Sequence, residues 1–166
     1  SNATNATIDS SNTTTTTTIT QTDAVVYGID STASISEESE QSATFTLSLG
    51  GVTLGTGITT AVNLALGGDA GESDVKNKFV SQLQTSAGST SGVSWNGTAL
   101  NFDDTFSGSI FSFSVQALDD DVVEGDEELI ATLSNATNAT IDSSNTTTTT
   151  RSEERRVGKE CLSLCR

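Results

Sequence analysis

Residues 1–17, SNATNATIDSSNTTTTT, recur unchanged at 134–150. An offset of 133 residues sets the size of the folding unit. Whatever forms must be complete within that length and able to follow itself end to end. The chain is therefore expected to be cut from a tandem array, with 1–20 as the last strand of a preceding unit and 21–150 as one sandwich-sized unit. Ser1-Asn2-Ala3 then belongs to the repeat itself. After Thr150 the repeat requires Thr-Ile-Thr-Gln-Thr-Asp, as at Thr18–Asp23, but the chain continues RSEERRVGKECLSLCR. That segment carries five of the seven basic residues and both cysteines, Cys161 and Cys165. The run RSEERRVGKEC resembles the in-frame translation of a synthetic sequencing adapter, so 151–166 is read as a non-native tail and its cysteines carry no redox message.

Within the unit, alternation of apolar and polar residues is the dominant pattern, and period two belongs to half-buried strands. Ala43, Phe45, Leu47 and Leu49 alternate with Ser42, Thr44, Thr46 and Ser48. Ile58 to Leu66 alternates in the same way, as do Ile110 to Leu118 and Leu129, Ala131 and Leu133. Val25 to Ile35 reads as an opening strand broken at Gly28–Ser31, and the threonine runs 13–18 (with Ile19) and 146–150 as the closing strands of successive units. Val93–Trp95 and Thr98–Phe102 flank Asn96-Gly97, a pair that tolerates the positive φ angles of a I′ hairpin. One segment departs from period two. Val75, Phe79 and Leu83 fall at i, i+4 and i+8, with Ser73 or Asp74 placed to cap them, which predicts a short helix at about 73–86. Seven or eight short strands without regular βα alternation predict an all-β, immunoglobulin-like antiparallel β-sandwich with one inserted helix.

Composition narrows function. The chain has 22 acidic and seven basic residues, a net charge of −15 and no histidine. Without the tail the body holds 19 acids and two lysines, a charge of −17. Phosphate backbones are bound by Lys and Arg, so nucleic acid and anionic membrane surfaces are excluded as partners, and no apolar run is long enough to insert in a membrane. The lack of histidine removes Ser-His-Asp and Cys-His nucleophile systems and imidazole metal sites. A cysteine-free acidic body fits a protein secreted by, or displayed on, a bacterial cell.

The densest charge is Asp119 to Glu128, DDDVVEGDEE, with seven carboxylates in ten residues. Their mutual repulsion opposes folding unless something offsets it. Closely spaced hard oxygen donors suit Ca²⁺, which takes six to eight of them, whereas Zn²⁺ prefers the His and Cys that the body lacks. The same loop also fits a solvated connector whose Glu124 and Glu127 cap backbone amides.

At these residues the sequence resembles the Calx-β family, immunoglobulin-like sandwiches found in sodium/calcium exchangers and as tandem modules of bacterial surface proteins. Asp119-Asp120-Asp121-Val122-Val123-Glu124-Gly125-Asp126-Glu127, then Leu129 and Leu133-Ser134-Asn135, carry the likeness, and Ile35-Ser36-Glu37-Glu38 is similar to the family's first turn. The resemblance implies a calcium site formed by Glu37, Asp119 and Asp120, the carbonyl of Val122, and Glu124 and Glu127. Asp69, Glu72, Asp74 and Asp121 stand as further candidates. The family's aspartate run after the last strand reads Thr20-Gln21-Thr22-Asp23 before this unit and is replaced by the tail after it, so the site is expected to be weaker than in the exchangers.

The resulting expectation is a non-enzymatic structural module of an extracellular bacterial adhesin or surface protein, rigidified by calcium. Its partners are the neighbouring units of the same chain, with cell-surface or matrix ligands left to other modules. An alternative is a glycan- or protein-binding module using the helix insertion and the Trp95 hairpin. A two-carboxylate glycosidase is the enzymatic alternative, but nothing in the sequence marks a sugar cleft.

Overall fold

A computed structural model describes residues 4, 6, 7, 14, 16–18, 23–71, 73–76, 78–119 and 125–153. In chain order the elements are β1 Val25–Ser31, β2 Ser34–Ser36, β3 Ser42–Gly50, β4 Thr60–Gly68, α1 Phe79–Ser89, β5 Val93–Trp95, β6 Ala99–Phe102, β7 Ile110–Gln116, β8 Glu127–Thr137, β9 Ala139–Ile141 and β10 Thr147–Glu153. They form two sheets, ordered β7-β3-β1-β9 and β2-β10-β8-β4-β6-β5. No helix among the described residues is long and apolar enough to cross a membrane.

The predicted alternation becomes the core. Ala43, Phe45, Leu47 and Leu49 of β3 face inward beside Phe111, Phe113 and Val115 of β7, opposite Val62 and Leu64 of β4 and Leu129, Ala131 and Leu133 of β8. Burying each of these larger side chains stabilises the fold by about 1.5–3 kcal/mol, so the inward rows decide the register. Phe45 stacks on Phe113 at 5.3 Å, and Phe79 meets both rings edge-on at 5.4 and 5.1 Å. That contact, with Leu83 and Ala87, seats α1 on the sandwich. The two sheets are also linked by a buried polar chain, in which the Tyr27 hydroxyl donates to Thr60 Oγ1 (3.2 Å) and Thr60 donates to the Thr137 carbonyl (2.9 Å). Burial pushes the Tyr27 phenol up to about 12, against a smaller opposing effect of the Thr60 bond.

Several local expectations shift. The first strand is broken at Thr32–Ala33 rather than at Gly28–Ser31, because Gly28 sits within β1, against Ser48 and Asn145. The helix starts at Phe79 instead of near Ser73: Val75 makes a β-bridge with Ala117, and Lys78 at φ 51 separates that bridge from the first turn. The hairpin register moves by one. Asn96 pairs with Ala99, leaving Gly97-Thr98 as the loop, and the positive φ falls on Gly97 (98°), as in a II′ turn. Ile58, expected to open an inward row, lies beyond the last β4 pair and is half exposed. Thr14 and Thr16–Thr18 are exposed and join no ladder among the described residues.

Most pairings are antiparallel, but β1 pairs with β9, and β10 with β2, in parallel. Both arise where the chain crosses between sheets, from β1 to β2 and from β9 to β10. Thr150 fastens the crossing: its fully buried hydroxyl donates to the Thr32 carbonyl (2.7 Å) and lies within hydrogen-bond distance of the Ser31 hydroxyl (3.0 Å). Consequently β1 begins at one pole of the sandwich, beside Gly50 and Ala139, and β10 ends at the other, beside Ser36 and Glu127.

Candidate functional site: an acidic pole

The pole where β10 ends collects carboxylates from three connections. In the β2–β3 turn the Glu37 carbonyl accepts the Glu40 amide (2.7 Å), and the turn is held to β7 by Gln116 Nε2 donating to the Glu40 carbonyl (2.9 Å). An ion pair between Lys76 and Glu40 at 2.7 Å adds a tether on the exposed side. Glu37 itself is buried, an unusual state for a carboxylate, which needs hydrogen-bond donors when removed from water. Ser152 Oγ, itself buried, donates to Glu37 Oε1.

The connection after β4 passes Asp69 and turns at Asp74, whose carboxylate accepts the Gly71 amide (2.5 Å) and the Ser73 hydroxyl (3.1 Å). The Asp74 carbonyl accepts the amide of Leu118 (2.9 Å), so Asp119 leaves the sheet beside this turn. On the far side of the loop Glu127 opens β8, opposite Ser152 in the ladder, and Arg151 opposite Glu128 forms an ion pair with Asp126. The hydrogen bond and the charge of Asp126 hold the Arg151 guanidinium more firmly in its protonated form.

Of the residues singled out in the sequence, Glu37, Asp69, Asp74, Asp119 and Glu127 thus lie at one pole. Asp120, Asp121, Val122, Glu124 and Glu72 lie outside the described residues. Among the described residues no three acidic, His or Cys side chains are grouped closely enough to hold a metal. The donors present are all oxygens, with Glu37 and Glu127 flanking Ser152, and that chemistry fits a hard cation.

Ser152 and Arg151 are the site residues that sequence reasoning missed, since both fall after the repeat breaks off. A signal did exist: Thr150 points inward, so alternation turns Ser152 inward as well, and the position one period earlier is Ile19. The remainder of the tail, 154–166, lies outside the described residues. Trp95 is half-buried and packs against the core.

No family model matches the chain, and no curated protein does. Among solved structures, the chain is similar to the apo form of the Calx CBD1 domain, with 13% identity and a TM-score of 0.52 over 80% of this chain and 98% of that domain. It is also similar to CBD12 from CALX1.2, with 15% identity and a TM-score of 0.47 over 74% of this chain and 40% of that one. The chain has the Calx-β fold, an immunoglobulin-like β-sandwich, here with one short inserted helix.

Proposed function

We propose that the chain is a non-catalytic strut module, repeated in an extracellular bacterial adhesin or surface protein and stiffened by calcium at its acidic pole. The observation that carries this reading is the agreement between the 133-residue sequence period and a sandwich whose first strand starts at one pole and whose last strand ends at the other. A unit of that kind extends an array by its own length with each copy.

The ion would be held by Glu37, Asp119, Asp120, Val122 through its carbonyl, Glu124 and Glu127, where it would supply positive charge among crowded carboxylates. The chain's own residues prepare the place. Thr150 fastens β10 to the β1–β2 crossing, which leads into the Glu37 turn, and Asp74 ties the neighbouring turn to the strand that leads into Asp119. Because only the folded state brings these groups together, an ion bound there stabilises folding by mass action.

Thermal melts in calcium and in chelator test the proposal. A calcium-dependent rise of several degrees that disappears in Asp120→Asn is the expected result. Superimposable melts would remove calcium from the reading.

A further inference from the structure

We infer that the free edge of β7 is a self-association surface, on which a second copy of the chain lays its own β7 antiparallel about a two-fold axis at Ser112. Of the strands that end a sheet, β2, β5 and β9 are three residues long, and such short edges offer little to pair with. β7 has seven residues, Ile-Phe-Ser-Phe-Ser-Val-Gln, with no charge, proline or glycine to discourage pairing. Backbone parity decides which groups it offers. The Leu49 amide donates to the Ser109 carbonyl (2.8 Å) at one end of the β3–β7 ladder, and the Ala117 amide to the Gln41 carbonyl (2.9 Å) at the other. Antiparallel bonds fall on alternate residues, so the odd positions from 109 to 117 bond to β3, while the amides and carbonyls of Ile110, Ser112 and Ser114 point away from it. Among the described residues no backbone group pairs with these. The next such position, Gln116, is taken: its carbonyl accepts the Lys76 amide (2.8 Å), and Val75 bridges Ala117 in antiparallel sense. The edge therefore accepts an antiparallel neighbour where the chain supplies one, and the stretch left open is centred on Ser112.

The occupant that fits is a second copy of the same stretch. Two-fold pairing sets Ser112 opposite Ser112 and Ile110 opposite Ser114, and each such pair exchanges two backbone bonds. No charge meets a charge along that row, and Ile110, which is 58% exposed, gains a cross-strand neighbour. Beyond the row the charges are complementary. The connection that enters β7 carries Asp103 and Asp104, whereas the segment bonded to its far end carries Lys76 and Lys78, the only basic residues before Arg151. Lys76 is paired with Glu40, but Lys78 is exposed and forms no ion pair among the described residues. Antiparallel pairing turns the Lys78 end of each copy toward the Asp103–Asp104 end of the other and holds the two acidic poles at opposite ends of the dimer. A contact of this self-complementary kind closes on itself instead of propagating. It needs neither the repeat nor calcium; where the strut reading also holds, it sets two arrays side by side in opposite directions.

The test is sedimentation equilibrium of the full chain, in chelator and at concentrations up to about 1 mM, where the parent should dimerise. Ser112→Pro, which removes one of the outward amides, and Ser112→Lys, which sets like charges against each other at the axis, should each weaken the dimer at least about tenfold. An equimolar mixture of Ser112→Lys and Ser112→Glu should dimerise at least as well as the parent, because the axis then pairs unlike charges. Ser112 is exposed, so the lysine and glutamate variants should melt like the parent, which separates loss of pairing from loss of folding. A parent that stays monomeric throughout, a dimer indifferent to Ser112→Lys, or a mixture that fails to recover would overturn the inference. Association abolished by Thr16→Pro but not by Ser112→Lys would give the edge to the threonine run and overturn it as well. Working in chelator keeps the calcium reading apart: failure of the calcium melts leaves the dimer untouched, and loss of the dimer leaves the acidic pole untouched.

Discussion

Ser152 offers the sharpest check on how the acidic pole is assembled. Its hydroxyl donates to the buried carboxylate of Glu37, and beneath it lies a narrow gap lined by Ile35, Ala70, Val75, Ala117 and Leu129. Ser152→Ala removes a charge-assisted hydrogen bond and fills nothing, so it should cost about 1.5–3 kcal/mol. Ser152→Ile, which restores the residue found one period earlier at Ile19, loses the same bond but buries about three more carbon atoms, a gain of roughly 2.4 kcal/mol at about 0.8 each. The two effects nearly cancel, so the isoleucine variant should lie within about 1 kcal/mol of the parent. In a Glu37→Leu background no carboxylate remains to be satisfied, and Ser152→Ile should then deliver its full gain, giving a coupling of about 2 kcal/mol in the double-mutant cycle. Urea denaturation followed by Trp95 fluorescence reads all four proteins. A Ser152→Ala variant as stable as the parent, within about 0.5 kcal/mol, would refute the claim that β10 holds Glu37 in place.

Further expectations concern the core, the pole and pH. Because the Tyr27 phenol is raised from 10.0 to about 12, its contribution is complete below pH 10 and is lost as the pH climbs from there toward 12. The loss should approach roughly 2–3 kcal/mol and be absent in Tyr27→Phe, as alkaline denaturation curves would report. Gly68→Ala should destabilise by about 2–4 kcal/mol, since Gly68 has φ 105° and a Cβ there would lie 1.9 Å from the Glu128 carbonyl oxygen. An alanine variant that melts like the parent would contradict this close β4–β8 approach. Phe79→Ala, which breaks both edge-on contacts to Phe45 and Phe113, should cost about 3–5 kcal/mol and release α1, seen as lost amide protection over 79–89.

The strands that fill the core were legible because their inward rows are strictly apolar, as in Phe45-Leu47-Leu49 and Phe111-Phe113-Val115. What stayed hidden depends on partners distant in sequence. β9 is three residues long and exists by pairing with β1, and nothing within Ala139–Ile141 announces it. The helix start was misplaced because the Val75 bridge to Ala117 is a contact across 42 positions, which no local periodicity encodes. Ile58 was assigned to the interior by its alternation, yet the sheet ends two residues later, and a pattern of side chains does not say where its neighbour strand stops. At the site, Glu37 could be singled out by likeness to a known turn, whereas Ser152 lies in a segment that composition set apart from the repeat.

The placement of the first and last strands has a mechanical consequence. A load pulling an array apart would enter at Val25 and leave past Glu153, along the axes of β1 and β10. Each is laced to its neighbours over most of its length, β1 to β3 and β9, β10 to β8 and β2. The antiparallel bonds among them, β1 to β3 and β10 to β8, run crosswise to the strands, so tension shears a whole row at once instead of opening it bond by bond. Such a unit yields late and all together, a property suited to a tether that must not lengthen under drag.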